Sequence, residues 1–134
     1  MHQYDKVLSY IDYFSTAGEK AGTWVSKPHV FPFVNYSPEM ISFIDEVYKT
    51  DLIDIEYLSY LESHIPKESN LSDYIENADF RLLRAILTYY VRQERFYDGL
   101  FQGAVIDKTI YRILLKLNDA KTPKWAKDEY DCET

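Results

Sequence analysis

Residues 89–99 read YYVRQERFYDG, and four of these eleven residues are charged and four aromatic. Arginine presents a planar fork of donors that matches carboxylates and phosphates. Aromatic rings beside it supply a surface on which a base or a partner's side chain stacks. On a helical wheel of about 100° per residue, Arg81, Arg84, Arg92 and Arg95 fall within an arc of roughly 80°. Phe80, Leu83, Ile86, Leu87, Tyr90 and Val91 share the neighbouring side, which must be core. The arginine stripe, with Tyr89 and Phe96 adjoining it, is the candidate binding face. A plainer reading stands beside it: a solvated face neutralised by an acidic half of the chain.

Glu94 falls on the apolar arc, near Leu83 and Leu87. A buried carboxylate needs a partner, because desolvation costs several kcal/mol per ion. Lys108, Arg112 and Lys116 form an i, i+4 basic stripe farther on. The expectation is a structural ion pair between Glu94 and Arg112 that fixes the packing of two antiparallel helices. The functional alternative is a carboxylate poised in a pocket.

The elements that must hold these residues read as helices. Tyr4, Val7, Leu8, Ile11 and Phe14 recur at helical spacing. Prolines at 28, 32 and 38 exclude a long helix over the next, aromatic segment, which reads as extended with a short strand pair. Ser37-Pro38-Glu39 opens a helix, with a cap, a proline suited to the first position and an acid at the positive dipole end. Met40, Ile41, Ile44, Val47 and Tyr48 form its apolar face. Asp54 caps a short helix burying Tyr57, Leu58 and Leu61, and a turn follows at Leu71–Ile75. A long helix capped by Asn77 runs from Asp79 to Asp98 and ends at Gly99. Another runs from Gly103 to Asn118. Residues 119–134 are a polar tail in which Trp125 docks on the body. The fold class expected is mostly α: one compact helical domain, residues 1–134, of five to six helices with an irregular aromatic segment after the first.

Composition narrows the function. The 134 residues carry a net charge of −7, are 46% hydrophobic, and include 13 Tyr and 7 Phe. Residues 1–79 hold 5 basic and 14 acidic side chains, residues 80–118 hold 7 and 3, and residues 119–134 hold 3 and 5. Duplex-binding proteins carry a basic excess, so double-stranded DNA is not the expected partner. No apolar run approaches the roughly 20 residues of a membrane span, and the early Asp5 does not suit a signal peptide. Cys132 is the single cysteine, which excludes an intramolecular disulfide and suits a cytoplasmic protein. His2, His29 and His64 lie in no ligand spacing, so neither a metal nor another cofactor is expected. No phosphate-binding glycine loop or nucleophile elbow is present.

The run containing Arg92, Glu94, Arg95, Phe96 and Gly99, followed by Leu114 and Leu117, resembles a family of small bacterial proteins classed as a domain of unknown function. The signature there is Arg-x-Glu-Arg-Phe-x-x-Gly, then a Leu-x-x-Leu helix. YIDYF near the start and Tyr36-Ser37-Pro38-Glu39 echo it. Where the family carries a histidine after the glycine and a later Gly-His pair, this chain has Leu100 and Lys108-Thr109. The resemblance implies that the Arg-Glu-Arg block belongs to a shared design, and that any histidine chemistry of relatives is missing here.

The function expected is a non-enzymatic binding or regulatory module whose basic and aromatic helix face takes an acidic protein surface or an anionic small molecule. The alternative is an enzyme on a phosphorylated or nucleotide substrate, with Arg92 and Arg95 as clamps and Glu94 as base. A third reading is a homo-oligomer with tyrosines across a symmetric contact.

Overall fold

The computed structural model describes residues 3–94 and 99–119. Arg95, Phe96 and the segment from residue 120 on, including Trp125 and Cys132, lie outside the described residues. The chain is mostly helical with one small two-stranded antiparallel sheet.

The apolar periodicity at the start makes two short helices, α1 (Asp5–Leu8) and α2 (Ile11–Thr16). The Ser9 hydroxyl donates to the Lys6 carbonyl at 2.6 Å, a local bond that competes with helix continuation. The proline-rich segment forms a hairpin of β1 (Gly22–Lys27) and β2 (Val30–Tyr36), with Gly22 opposite Tyr36 and Lys27 opposite Val30. Pro32 is tolerated in β2 because each strand of a two-stranded ribbon keeps a free edge.

Helix α3 (Pro38–Tyr48) starts as its sequence dictates, the Ser37 hydroxyl accepting the Met40 N–H at 3.2 Å. Its buried face differs from the expected one. Met40, Phe43 and Val47 are buried, while Ile41 and Tyr48 are exposed. The Phe43 ring sets the orientation by packing edge-on against Phe14 at 4.7 Å and Tyr10 at 5.4 Å between centroids. Such pairs add about 0.5–1.5 kcal/mol beyond area burial.

Helix α4 (Tyr57–His64) buries Tyr57 and Leu61 and leaves Leu58 47% exposed, against expectation. Asp54 does not cap this helix. Its Oδ1 accepts the Glu56 N–H at 3.0 Å in a turn just ahead of it. Helix α5 (Phe80–Gln93) is capped by Asp79 rather than Asn77, with Oδ1 accepting the Leu82 N–H at 2.9 Å. The last stretch divides into α6 (Leu100–Ile106) and α7 (Thr109–Asp119). Lys108 breaks it at φ 70°, and Asp107 Oδ1 restarts the helix by accepting the Thr109 N–H at 3.0 Å and its hydroxyl at 2.6 Å. Gly99 does adopt the left-handed conformation, at φ 90°, but as the residue that opens α6.

The core gathers Phe14, Phe43, Leu83, Ile86, Phe101 and Leu114, each fully buried, at about 1.5–3 kcal/mol apiece. Gln102, also buried, ties the hairpin to this body. Its Nε2 donates to the Gly22 carbonyl at 2.9 Å, and its N–H donates to the Tyr36 hydroxyl at 3.2 Å.

Candidate functional site: a polar cleft between two helices

Helix α4 divides into two flanks around its axis. Ser59, Tyr60, Ser63 and His64 face one way, and with Glu56, Asp79 and Arg81 they line an open cleft of about 520 Å³. Ligand sites commonly fall between roughly 300 and 1,000 Å³. Tyr60 and His64, one helical turn apart, stack with ring centroids at 3.9 Å and 15° between planes. His64 Nδ1 lies 2.8 Å from the Tyr60 carbonyl and 3.0 Å from the Ser63 hydroxyl. The Arg81 guanidinium carbon lies 4.5 Å over the Tyr60 ring.

Two charges set the electrostatics around this stack. Arg81 Nε is 3.9 Å from Asp54 Oδ2, an ion-pair distance rather than a hydrogen bond, and the Arg81 side chain remains 54% exposed. Burial raises the Tyr60 phenol above its ordinary range and the Asp79 charge adds to the rise, so the hydroxyl is a neutral donor at physiological pH. The cleft therefore offers a cation on a ring, a phenol and an imidazole, with the acids Glu56 and Asp79 lining it.

The arginine stripe of the sequence is not one continuous face. Thr88, in its middle, is fully buried. Its hydroxyl donates to the Leu52 carbonyl at 3.0 Å and accepts the Asp54 N–H at 3.1 Å. The segment 52–54 thus crosses the stripe and separates its ends. Arg84 lies over Phe80 at 5.7 Å and is half-buried, its Nε buried without a hydrogen-bond partner. Arg92 lies over Tyr57 at 6.0 Å. Among the described residues neither Arg84 nor Arg92 has a carboxylate within ion-pair distance. Arg95 and Phe96 lie outside the described residues. Tyr89 lines a different groove, on the other flank of α4.

The expected Glu94–Arg112 ion pair is replaced by two separate contacts. Glu94 Oε2 accepts the Gly99 N–H at 2.9 Å and Oε1 accepts the Phe101 N–H at 2.8 Å. The carboxylate caps the start of α6, where free N–H groups and the helix dipole favour an anion. Arg112 instead holds Glu76, with Nε at 3.2 Å and Nη2 at 3.0 Å from one oxygen. Lys116 donates to the Glu76 carbonyl at 2.9 Å, and Lys108 donates to the Ser15 carbonyl at 2.6 Å. All three cations of that stripe thus contact other parts of the chain, Arg112 and Lys116 at the exposed Glu76 and Lys108 at the end of α2.

The sequence reading does not name Tyr60, takes Asp54 only as a helix cap and sets His64 aside as a lone histidine, so it misses their meeting at this cleft. Tyr60 and His64 carry an i, i+4 spacing that places them on one face, a signal that was available. The approach of Asp54 to Arg81 crosses 27 positions and leaves no local trace. Among the described residues no group of three or more His, Cys, Asp or Glu side chains could hold a metal ion, and no described helix is long and apolar enough to cross a membrane.

Residues 1–122 match a family of unknown function, DUF6508. The chain belongs to the DUF6508 family. The match covers every described element, so the cleft, the hairpin and the Glu94 cap all lie within the family region. Comparison with curated proteins and with solved structures finds no match.

Proposed function

We propose that this DUF6508 chain is a single-domain, non-enzymatic binding module that takes an anionic group in the cleft between α4 and the start of α5. The observation that carries this reading is Arg81, half-exposed, with its guanidinium carbon 4.5 Å over the Tyr60 ring that stacks on His64. A guanidinium on a ring is pre-organised, so little side-chain entropy is lost when it closes on a ligand. Glu56 and Asp79 in the cleft repel a dense negative charge. They favour a single carboxylate, as on an acidic protein surface, over a polyphosphate. The single cysteine fits work in a reducing, cytoplasmic setting.

The enzyme reading has less support. Both oxygens of Glu94 are engaged by backbone N–H groups, which leaves the proposed base in a capping role. The test is calorimetric titration with an end-blocked peptide carrying one glutamate and, separately, with a nucleoside triphosphate. The peptide should bind and lose affinity in Arg81→Ala, without rescue by Arg81→Lys, because an ammonium lacks the planar fork. Tighter binding of the triphosphate, or peptide binding indifferent to Arg81, would contradict the reading.

A further inference from the structure

His64 is the last residue of α4, and its two ring nitrogens stand in different settings. Nδ1 lies 2.8 Å from the Tyr60 carbonyl and 3.0 Å from the Ser63 hydroxyl. A carbonyl oxygen only accepts, so Nδ1 carries the hydrogen. The Ser63 hydroxyl donates to the Ser59 and Tyr60 carbonyls, both at 3.1 Å, so towards the ring it too accepts. In the neutral imidazole Nε2 is then a bare acceptor, and it is the atom that takes the second proton. Among the described residues no hydrogen bond reaches Nε2. The side chain is exposed and lines the cleft, so solvent protons and a ligand both have access to it.

We infer that Nε2 of His64 is a second contact for the anion and couples its binding to the uptake of a proton. The inference rests on the reading of the cleft as an anion site. Without its proton, Nε2 turns a lone pair towards a carboxylate and repels it. With the proton, the same atom is a donor that adds positive charge near Arg81. The guanidinium carbon and the imidazole centre each lie within 4.5 Å of the Tyr60 ring centre. Groups on every neighbouring element bear on this step. On α4, Glu56 and the negative end of the helix dipole favour the imidazolium, and Tyr60 stays a neutral phenol. At the start of α5, Asp79 favours it and Arg81 opposes it. Asp54, 3.9 Å from Arg81, offsets part of that opposition. A bound carboxylate adds a further negative charge, so ligand and proton each tighten the binding of the other. Histidine ordinarily changes charge between about pH 5 and 8, whereas a glutamate side chain stays ionised above about pH 5.5.

The test is calorimetric titration of the full chain with an end-blocked peptide whose one titratable group is a glutamate, at about pH 5.5 and about pH 8 and at constant ionic strength. Affinity should be about three- to fivefold tighter at the lower pH, as one added charge in a solvated cleft implies. Repeating the titration midway, at about pH 6.5, in buffers of different ionisation enthalpy should record proton uptake on binding. His64→Gln, which retains His2 and His29, should flatten the pH profile. Nitrogen NMR of the histidine rings reads the same atom without relying on a variant. At about pH 8 the His64 ring should carry its hydrogen on Nδ1, and added peptide should move its titration midpoint upward. Three results would overturn the inference and leave the cleft standing: Arg81-dependent binding that is equal at both pH values, a pH dependence that survives His64→Gln, or a neutral ring with its hydrogen on Nε2. Absence of binding at either pH, or binding indifferent to Arg81→Ala, would overturn the cleft and this inference together.

Discussion

The Glu94 carboxylate reaches across to Gly99, accepting its N–H at 2.9 Å through one oxygen while the other accepts the Phe101 N–H at 2.8 Å. Two residues of the run Arg92–Gly99 thus meet in space and fix where α6 begins. Glu94→Ala should destabilise the fold by about 2 kcal/mol, since charge-assisted bonds to backbone donors are lost and the donors are left without an acceptor. Glu94→Gln, which keeps one acceptor, should cost about half as much. Denaturant titration of both variants checks this. An Arg112→Ala cost that vanishes in Glu94→Ala would restore the pairing first expected from the wheel.

Gly99 carries two constraints at once. Its φ of 90° disfavours any side chain, and a Cβ there would stand 2.3 Å from Trp24 Cζ2. Gly99→Ala should cost about 2 kcal/mol or more. In a Trp24→Ala background the steric part disappears and about 1 kcal/mol of backbone strain should remain. Equal costs in both backgrounds would show that the ring simply moves aside.

Thr88 is the residue through which segment 52–54 crosses the arginine stripe. Thr88→Val keeps its shape but removes the acceptor of the Asp54 N–H and the donor to the Leu52 carbonyl. It should cost about 2–3 kcal/mol. The same variant should also alter binding in the cleft, because Asp54 positions Arg81. Thr88→Ser should do neither. An unaltered stability in Thr88→Val would detach this segment from the account.

Alkaline stability should report Tyr90. Burial, with the Asp107 charge adding to it, pushes its phenol up to about 12, against an ordinary value near 10. The unfolded chain therefore releases this proton first. The contribution is present in full below about pH 10 and is lost as pH rises towards 12, about 2–3 kcal/mol at most. Tyr90→Phe should lose less stability over that window than the wild type. Parallel pH profiles would place Tyr90 in solvent.

How far the sequence led can be traced through particular residues. Ser37-Pro38-Glu39 and the prolines of the hairpin act locally, and both were legible. The face of α3 was not, because Phe43 is chosen by rings on other elements, Phe14 and Tyr10. The division of α6 from α7 hinges on Lys108 in a left-handed conformation, a cost that its bond to the Ser15 carbonyl offsets. Glu94 was recognised as out of place on an apolar arc, but its partners were backbone groups a few residues on, which a wheel of side chains does not display. The arginine stripe was legible as a pattern. Its interruption at Thr88 depends on a segment 34 to 36 positions away.

The central claim is that the Arg81–Tyr60–His64 cleft is where this chain meets an anionic group. Amide-resolved NMR titration of the whole chain with an end-blocked peptide carrying one glutamate tests it most directly. The account predicts shifts concentrated at residues 56–64 and 79–81, weaker at high salt and absent in Arg81→Ala. Shifts centred elsewhere, or shifts around the cleft that persist unchanged in Arg81→Ala, would contradict it.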